Sequence, residues 1–417
     1  MPQSLILMSL RGLTLLTKFA LTLFLTKFLS LAELGQYGLI VAGTMLYSTI
    51  AGLAILYSVS RDSVLASRRQ ICAHLLQYTK FLGFLFPITL LLGALAAPVV
   101  NAFSFTTSLI ISALLFFEMV NQNAYGLLIN IEQPFTTNLL HFLRSSLWVF
   151  LYIALAYYYP DLRTIDVVLL FWLVASILTT LLLLYVFRTW PWEKSDLYQP
   201  FLPWLQSQFK ACSAAYKEGI VRTIGDYSSP FIIGSFLSFE ALGIYVYLTQ
   251  ATAALRNLIL IGVVQLYRPM LINALKKSHT TVPKIIANKL KVVTLLGVAF
   301  SIIAYPSYLW LTDMLDKTDI MESYWLFIPI LLAFIVSLRI IVIDTALYCY
   351  KRDDHLLKVS GISLIVNFIC KGIGVSIFGL PGVVFADLIS MAAMLYVRHH
   401  YIKDTYNRYT ICAYEPQ

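Results

Sequence analysis

Four polar residues near the start of the chain are spaced as if they share one side of a helix. Arg11, Thr14, Lys18 and Thr22 are separated by three, four and four residues, and the residues between them are mostly apolar. This spacing places all four side chains on one helical face. A polar stripe in an apolar helix predicts the lining of a cavity, and its two basic residues would attract an anion.

Ionisable residues recur inside other apolar segments. Arg222, Asp226 and Ser229 repeat the stripe in a later segment, and a further polar patch contains Glu118, Asn121, Gln122 and Tyr125. The charged residues within or at the ends of apolar segments are Arg11, Lys18, Arg144, Arg222, Arg256, Arg339 and Lys371, against Glu118, Asp226, Asp344 and Asp387.

Placing these charges against lipid is energetically unfavourable. A charge at the bilayer centre costs about 2.5–3.5 kcal/mol on insertion scales. We therefore expect most of them to face a wet interior, where the basic excess favours an anionic passenger such as a phosphate or diphosphate group. The alternatives are structural ion pairs, Lys18 with Asp226 among them, and side chains such as Arg11 that reach the membrane surface.

The composition is that of an integral membrane protein. The 417 residues are 59% hydrophobic and 12% charged, whereas soluble chains carry roughly 25% charged residues. The net charge of +9 is expected from basic cytoplasmic loops, and no nucleic-acid module is recognisable. The five cysteines lack metal-ligand spacing, and no nucleotide-binding or hydrolase motif is present. We expect no cofactor, no metal site and no enzymatic activity.

The apolar segments predict an all-α integral membrane fold. A spanning helix needs about 20 mostly apolar residues, and twelve segments qualify. They are residues 9–30, 36–59, 79–100, 106–128, 137–158, 165–187, 217–237, 243–267, 289–311, 324–349, 358–378 and 381–398. The predicted organisation is two pseudo-symmetric six-helix bundles, with an N-terminal bundle at 1–188, a cytoplasmic linker at 189–216, a C-terminal bundle at 217–398 and a cytoplasmic tail at 399–417.

A repeated stretch supports the division into two halves. FLSLAELGQYG at residues 28–38 is written again as FLSFEALGIYV at residues 236–246, half a chain length later. Such an offset indicates two copies of one architectural unit. Gly35 and Gly243 are expected to permit a tight turn between helices. We expect the repeat to serve packing; contact with a ligand is the alternative.

The loop charges predict the orientation. One set of loops holds most of the Lys and Arg residues, while the opposite loops hold Lys27, Arg163 and Lys317. The positive-inside rule then places both termini in the cytoplasm. In the linker, Phe201, Leu205 and Phe209 recur every fourth residue, which is typical of an amphipathic helix at the membrane interface. An ordinary linker is the alternative.

Residues 11–61 carry a family resemblance. RGLTLLTKF leads into FLSLAELGQYGL, followed by a helix with Gly52 and a terminal Ser60-Arg61. This stretch, with the length and span count, resembles the polysaccharide branch of the multidrug/oligosaccharidyl-lipid/polysaccharide exporter superfamily, which includes the O-antigen and capsule repeat-unit flippases.

The resemblance implies a function and a set of residues. It implies a flippase that moves undecaprenyl-diphosphate-linked oligosaccharide from the inner to the outer leaflet of a bacterial inner membrane by alternating access. The partners implied are this polyprenyl diphosphate, membrane lipid, and a polymerase and chain-length regulator of the same pathway. For substrate binding, the residues implied are Arg11, Lys18, Arg222 and Arg256. The candidates for coupling to protons or sodium are the intramembrane acids, namely Glu118, Asp226, Asp344 and Asp387.

Two other functions remain open from the sequence. A cation-coupled multidrug antiporter would favour a negative lumen, and the intramembrane balance is basic. A membrane polymerase or ligase of polysaccharide assembly would need a large outer loop with catalytic residues, and the predicted outer loops are short.

Overall fold

The computed structural model describes residues 2–56, 59, 66–100, 103–131, 133–260, 263, 265–277, 281–350 and 353–414. Within these ranges the chain forms helices and no strand. The helices are α1 Pro2–Phe28, α2 Leu31–Ala51, α3 Arg68–Val100, α4 Phe105–Asn130, α5 Pro134–Tyr158, α6 Ile165–Phe187, α7 Phe201–Phe236, α8 Phe239–Ile259, α9 Gln265–Lys277, α10 Val282–Asp313, α11 Thr318–Glu322, α12 Phe327–Cys349 and α13 Asp353–Tyr414.

Long helices lie at all twelve predicted positions, and the predicted all-α membrane fold is confirmed. In the described ranges, eight helices are long and apolar enough to cross a membrane, and one of them, Leu357–Asp404, covers the last two predicted spans. Three other long helices, α2, α7 and α8, are not among these eight. The chain is therefore a multi-pass membrane protein. Parts of the predicted spans 36–59 and 243–267 lie outside the described residues. The loop residues Arg61, Lys351 and Arg352 lie outside them as well.

The chain forms two compact units. The first comprises residues 1–24 and 39–223, and the second comprises residues 25–38 and 224–417. In the first unit α4 packs against both α3 and α6, and in the second α12 packs against α10 and α13. The short segment 25–38, which holds the first copy of the repeat, thus belongs to the unit that holds the second copy.

The repeated glycines do not form turns, which corrects the expectation from the sequence. Gly35 and Gly243 lie inside the first turns of α2 and α8. A Cβ atom on Gly35 would lie 2.0 Å from the carbonyl oxygen of Phe239, and one on Gly243 would lie 2.1 Å from that of Leu31. Glycine is required because the two helices cross in backbone contact.

The serine of each repeat caps the helix that follows. Ser30 Oγ accepts from the backbone N–H of Glu33 at 3.2 Å, and the Glu33 carboxylate accepts from Ser30 N at 3.0 Å. Ser238 Oγ accepts from Ala241 N at 3.2 Å. These bonds satisfy backbone donors at the helix start that would otherwise lack partners.

The last helix is broken where the sequence predicts two spans. Gly379 has φ 62° and ψ −134° inside α13, and Pro381 follows. Only glycine adopts such a backbone conformation at little cost. Beyond the break Gly382 packs on Gly374 so closely that a Cβ on Gly382 would lie 1.9 Å from the Gly374 carbonyl oxygen. The predicted tail continues as helix to Tyr414.

The linker packs onto the start of α3 in the first unit. Arg69 forms ion pairs with Glu193 and Asp196. Gln77 Nε2 donates to the carbonyl oxygen of Asp196 at 2.8 Å, and Lys80 Nζ donates to that of Leu197 at 2.7 Å. The amphipathic segment begins at Phe201 as the first turns of α7, which runs unbroken to Phe236.

Candidate functional site

The basic residues of α1 lie in different surroundings. Arg11 Nε donates to Asn138 Oδ1 at 2.9 Å, and its Nη2 donates to the Tyr125 hydroxyl at 3.2 Å. The Lys18 side chain is exposed, and it makes no hydrogen bond or ion pair with the described residues of its own unit. It lies close enough to Arg144 and Glu118 to experience both charges. Arg11 is thus held by neutral groups, and the Lys18 ammonium has no direct partner in the unit.

The threonines of the predicted stripe do not line a cavity with their hydroxyls. Thr14 is 4% exposed and Thr22 is 3% exposed. Thr14 Oγ1 donates to the Leu10 carbonyl at 2.8 Å, and Thr22 Oγ1 donates to the Lys18 carbonyl at 3.2 Å. The short hydroxyl reaches the carbonyl one turn back along its own helix, so it is not free for a ligand.

An ion pair in α4 and α5 anchors the interior of the first unit. Arg144 Nη1 lies 3.5 Å from Glu118 Oε2, and both side chains are buried. Glu118 Oε1 accepts from Trp172 Nε1 at 3.0 Å and from Ser176 Oγ at 2.6 Å. Arg144 sits in a π-helical turn, Leu143–Leu147. Such turns insert one residue into a helix and are frequent at functional sites.

A pocket opens beside this pair. Its polar lining consists of Arg144, His141, Tyr125, Asn121, Thr137 and Thr179. The rings of Tyr125 and His141 are 5.3 Å apart. The pocket lies wholly in the first unit.

A second buried network connects four helical segments of the second unit. Lys371 Nζ lies 2.8 Å from Asp387 Oδ1 and donates to Ser228 Oγ at 2.9 Å. Asp387 Oδ2 also accepts from Ser229 Oγ at 3.1 Å and from the Tyr245 hydroxyl at 3.0 Å. The lysine is 1% exposed. Every polar atom of this ion pair therefore has a partner close by, as a buried charge requires.

Two further ion pairs involve charges predicted inside the membrane. Arg398 Nε lies 2.6 Å from Asp344 Oδ1, and Arg398 also donates to Ser363 Oγ at 3.2 Å. Arg398, the last residue of the predicted span 381–398, is buried, and α13 continues well past it. Arg222 pairs with Glu218 at 3.7 Å on an exposed face of α7.

The remaining charges of the second unit have no close partner in it. Arg256 and Arg339 each carry a buried Nε with no hydrogen bond. Asp226 is exposed and makes no hydrogen bond or ion pair within the unit. Arg256 and Asp226 both lie near enough to Tyr227 to act on its hydroxyl. Of the four predicted acids, Glu118, Asp344 and Asp387 have buried or half-buried cationic partners, and Asp226 has none.

The structure separates the predicted residues into paired and unpaired groups, which spacing alone does not do. Sequence reasoning singled out Arg144 and Lys371 as charges but gave them no role, and it missed His141. The sequence did contain a signal for it. His141 and Arg144 are three residues apart in one apolar segment and so share a helix face, and another apolar segment carries the polar patch with Glu118 and Tyr125. In the described part of the chain, no group of three or more His, Cys, Asp or Glu could hold a metal ion.

Comparison with known proteins identifies the fold. No protein-family model and no curated protein matches the sequence. The structure is similar to the lipid II flippase MurJ in an inward closed conformation, with a TM-score of 0.77, 11% identity, and coverage of 96% of this chain and 89% of that chain. The chain therefore shares its fold with this flippase.

Multidrug transporters share the fold as well. An inward-facing multidrug resistance MATE family transporter of the MOP superfamily gives a TM-score of 0.72 at 12% identity, over 94% of this chain and 95% of that chain. An outward-facing one gives 0.63 at 12% identity, over 96% and 94%. One fold thus serves both a flippase and drug transporters, so the fold alone does not assign a function to this chain.

Proposed function

We propose that this protein is a flippase for lipid-linked oligosaccharides, which carries an undecaprenyl-diphosphate-linked repeat unit from the cytoplasmic to the outer leaflet during surface polysaccharide assembly. We place it in a bacterial inner membrane with both termini in the cytoplasm. A polymerase and a chain-length regulator of the same pathway are its proposed partners. The fold shared with the lipid II flippase MurJ supports a lipid-linked substrate.

The proposal rests on one observation about the ion pairs within the two units. Most of the intramembrane acidic side chains form ion pairs, whereas several of the basic side chains do not. Glu118, Asp344 and Asp387 are matched by Arg144, Arg398 and Lys371. The intramembrane charges left without an ion pair in their own unit are Arg11, Lys18, Arg256 and Arg339, against Asp226. An excess of cations in a membrane interior favours an anionic passenger. A diphosphate is such an anion, and its phosphate oxygens can accept paired hydrogen bonds from guanidinium groups.

In the proposed mechanism the diphosphate is the part of the substrate that the protein holds. Arg11, Lys18, Arg222 and Arg256 attract it, while the prenyl chain remains in the lipid. The substrate must bind the two access states with different strength for the cycle to move forward. Asp226 is the best candidate for proton or sodium coupling, because Glu118, Asp344 and Asp387 already have cationic partners.

The decisive experiment measures the leaflet distribution of the glycolipid in cells with and without the gene. Loss of the flippase should trap the undecaprenyl-linked unit on the cytoplasmic leaflet and remove surface polysaccharide. Lys18→Ala and Arg256→Ala should reproduce the trapped state, whereas Lys27→Ala, an exposed lysine at the end of the same first helix, should transport normally.

The alternatives predict different outcomes in the same cells. An unaltered distribution, tested where the native glycan is made, would reject the flippase and favour cation-coupled drug export. Units that reach the outer leaflet but remain unpolymerised would favour a polymerase or ligase. Normal transport by both Lys18→Ala and Arg256→Ala would reject the electrostatic mechanism while leaving the fold assignment intact.

A further inference from the structure

The protonation of His141 follows from its neighbours. Arg144 Nη2 lies 3.3 Å from His141 Nδ1, and Ser145 Oγ lies 3.5 Å from the same atom. Arginine is a donor with no acceptor capacity, so Nδ1 must accept. The ring hydrogen is therefore on Nε2, and among the described residues no group accepts a hydrogen bond from this N–H. His141 brings a free donor to the pocket.

The same accounting applies to Tyr125. Arg11 Nη2 donates to its hydroxyl oxygen, so the oxygen already accepts from a donor-only group. The hydroxyl hydrogen makes no bond to another group of the unit and is free to donate. Two neutral donors, on rings 5.3 Å apart, thus border the pocket.

The charges around the pocket are unbalanced. Arg144 lines it, and Arg11 and Lys18 lie close enough to His141 to act on its charge. Glu118 is the one carboxylate found among these groups, and its Oε1 is occupied by Trp172 and Ser176. Three cations against one anion, with two unused donors, form the setting in which charge-assisted bonds to an oxyanion are strong.

We propose that this pocket binds a small oxyanion group, a carboxylate or a phosphate, held by Tyr125 O–H, His141 Nε2–H and the Arg144 guanidinium. The proposal rests on the proposed function only for the origin of the group, which would be an acidic sugar of the repeat unit or its phosphate. Binding itself requires no transport.

Binding of small probes to the purified full-length protein tests the site. The probes are glucuronate for a carboxylate, inorganic phosphate for a phosphate, and glucose as the uncharged control, at constant ionic strength in calorimetry and thermal-shift measurements. Glucuronate or phosphate should bind saturably and raise the melting temperature, and glucose should do neither. Binding of glucuronate assigns an acidic sugar, and binding of phosphate alone assigns the phosphate.

Two conservative variants connect the binding to the pocket. Tyr125→Phe removes the free hydroxyl. His141→Asn keeps an acceptor for Arg144 near Nδ1 but loses the Nε2–H donor. Each should weaken anion binding roughly tenfold or more, because each removes a hydrogen bond to a charged group. Tyr157→Phe, an exposed tyrosine on α5, is the matched control and should bind as the unmodified protein does.

The results separate this site from the flippase proposal. No saturable binding of either anion, or binding that both variants leave unchanged, would overturn the oxyanion site while the leaflet assay still stands. Saturable binding that depends on Tyr125 and His141 would support the site even where glycolipid distribution is unaltered by gene loss.

Discussion

The ammonium of Lys371 lies 2.8 Å from Asp387 Oδ1, at a position where the lysine is 1% exposed. Removing one member of a buried ion pair leaves the other charge without compensation and costs about 3–5 kcal/mol. Lys371→Met should therefore lower the melting temperature of the purified protein sharply. Lys291→Met, at an exposed lysine of α10, should leave it unchanged.

The double variant tests whether the loss comes from the orphaned charge. Lys371→Met with Asp387→Leu removes both charges, so it should recover much of the stability lost by Lys371→Met alone. A double variant no more stable than the single one would contradict this explanation and indicate that the hydrogen bonds to Ser228, Ser229 and Tyr245 matter more than charge.

The arginines of the second unit should separate into structural and functional groups. Arg398→Gln loses a bond of 2.6 Å to Asp344 and should destabilise the protein. Arg256→Gln removes a guanidinium whose Nε has no partner, so it should leave the melting temperature nearly unchanged and still impair glycolipid translocation. Thermal unfolding and the leaflet assay, run on both variants, test this. If Arg256→Gln lowers the melting temperature as much as Arg398→Gln does, Arg256 has a structural role, which would contradict this prediction.

The crossing of α2 and α8 should be intolerant of the smallest side chain. Gly35→Ala would place a methyl group 2.0 Å from a backbone oxygen, and backbone cannot move aside as a flexible side chain can. We expect a loss of about 1–3 kcal/mol, the usual cost of overpacking. Gly83→Ala, where nothing lies within 4 Å, is the control and should be neutral or slightly stabilising. Equal melting temperatures for the two variants would contradict the close approach.

Glu118→Gln should strengthen the oxyanion pocket. A glutamine oxygen can still accept from Trp172 and Ser176, but the negative charge that opposes Arg144 is gone. The apparent affinity for glucuronate or phosphate should rise, and the anion should raise the melting temperature of this variant more than that of the unmodified protein. Weaker anion binding by Glu118→Gln than by the unmodified chain would show that Arg144 needs Glu118 to be positioned.

Helix positions were predictable from the sequence because the bilayer imposes a length on apolar segments. The break between residues 378 and 381 was predictable as well, since Gly379 and Pro381 end one helix and start another. Ser30 and Glu33 have the spacing of a capping box, which is also visible in the sequence.

Charge pairing could not be predicted in the same way. Spacing shows which residues share a face of one helix, but Glu118 meets Arg144 only through the rotation and packing of α4 against α5, which spacing does not fix. Gly35 was misread for a related reason. A glycine near a helix start fits a turn or a close crossing equally well until the neighbouring backbone is placed.

The assignment of residues 25–38 to the second unit has a consequence for how the protein is made. The segment that packs on Gly35 begins at Phe239, so it is synthesised about two hundred residues after Gly35. At roughly 5–20 residues per second, the delay is on the order of 10–40 seconds. During this interval the face of α2 that contains Gly35 has no protein surface to cover it. We therefore expect the first 223 residues, expressed alone, to leave this face without its packing partner.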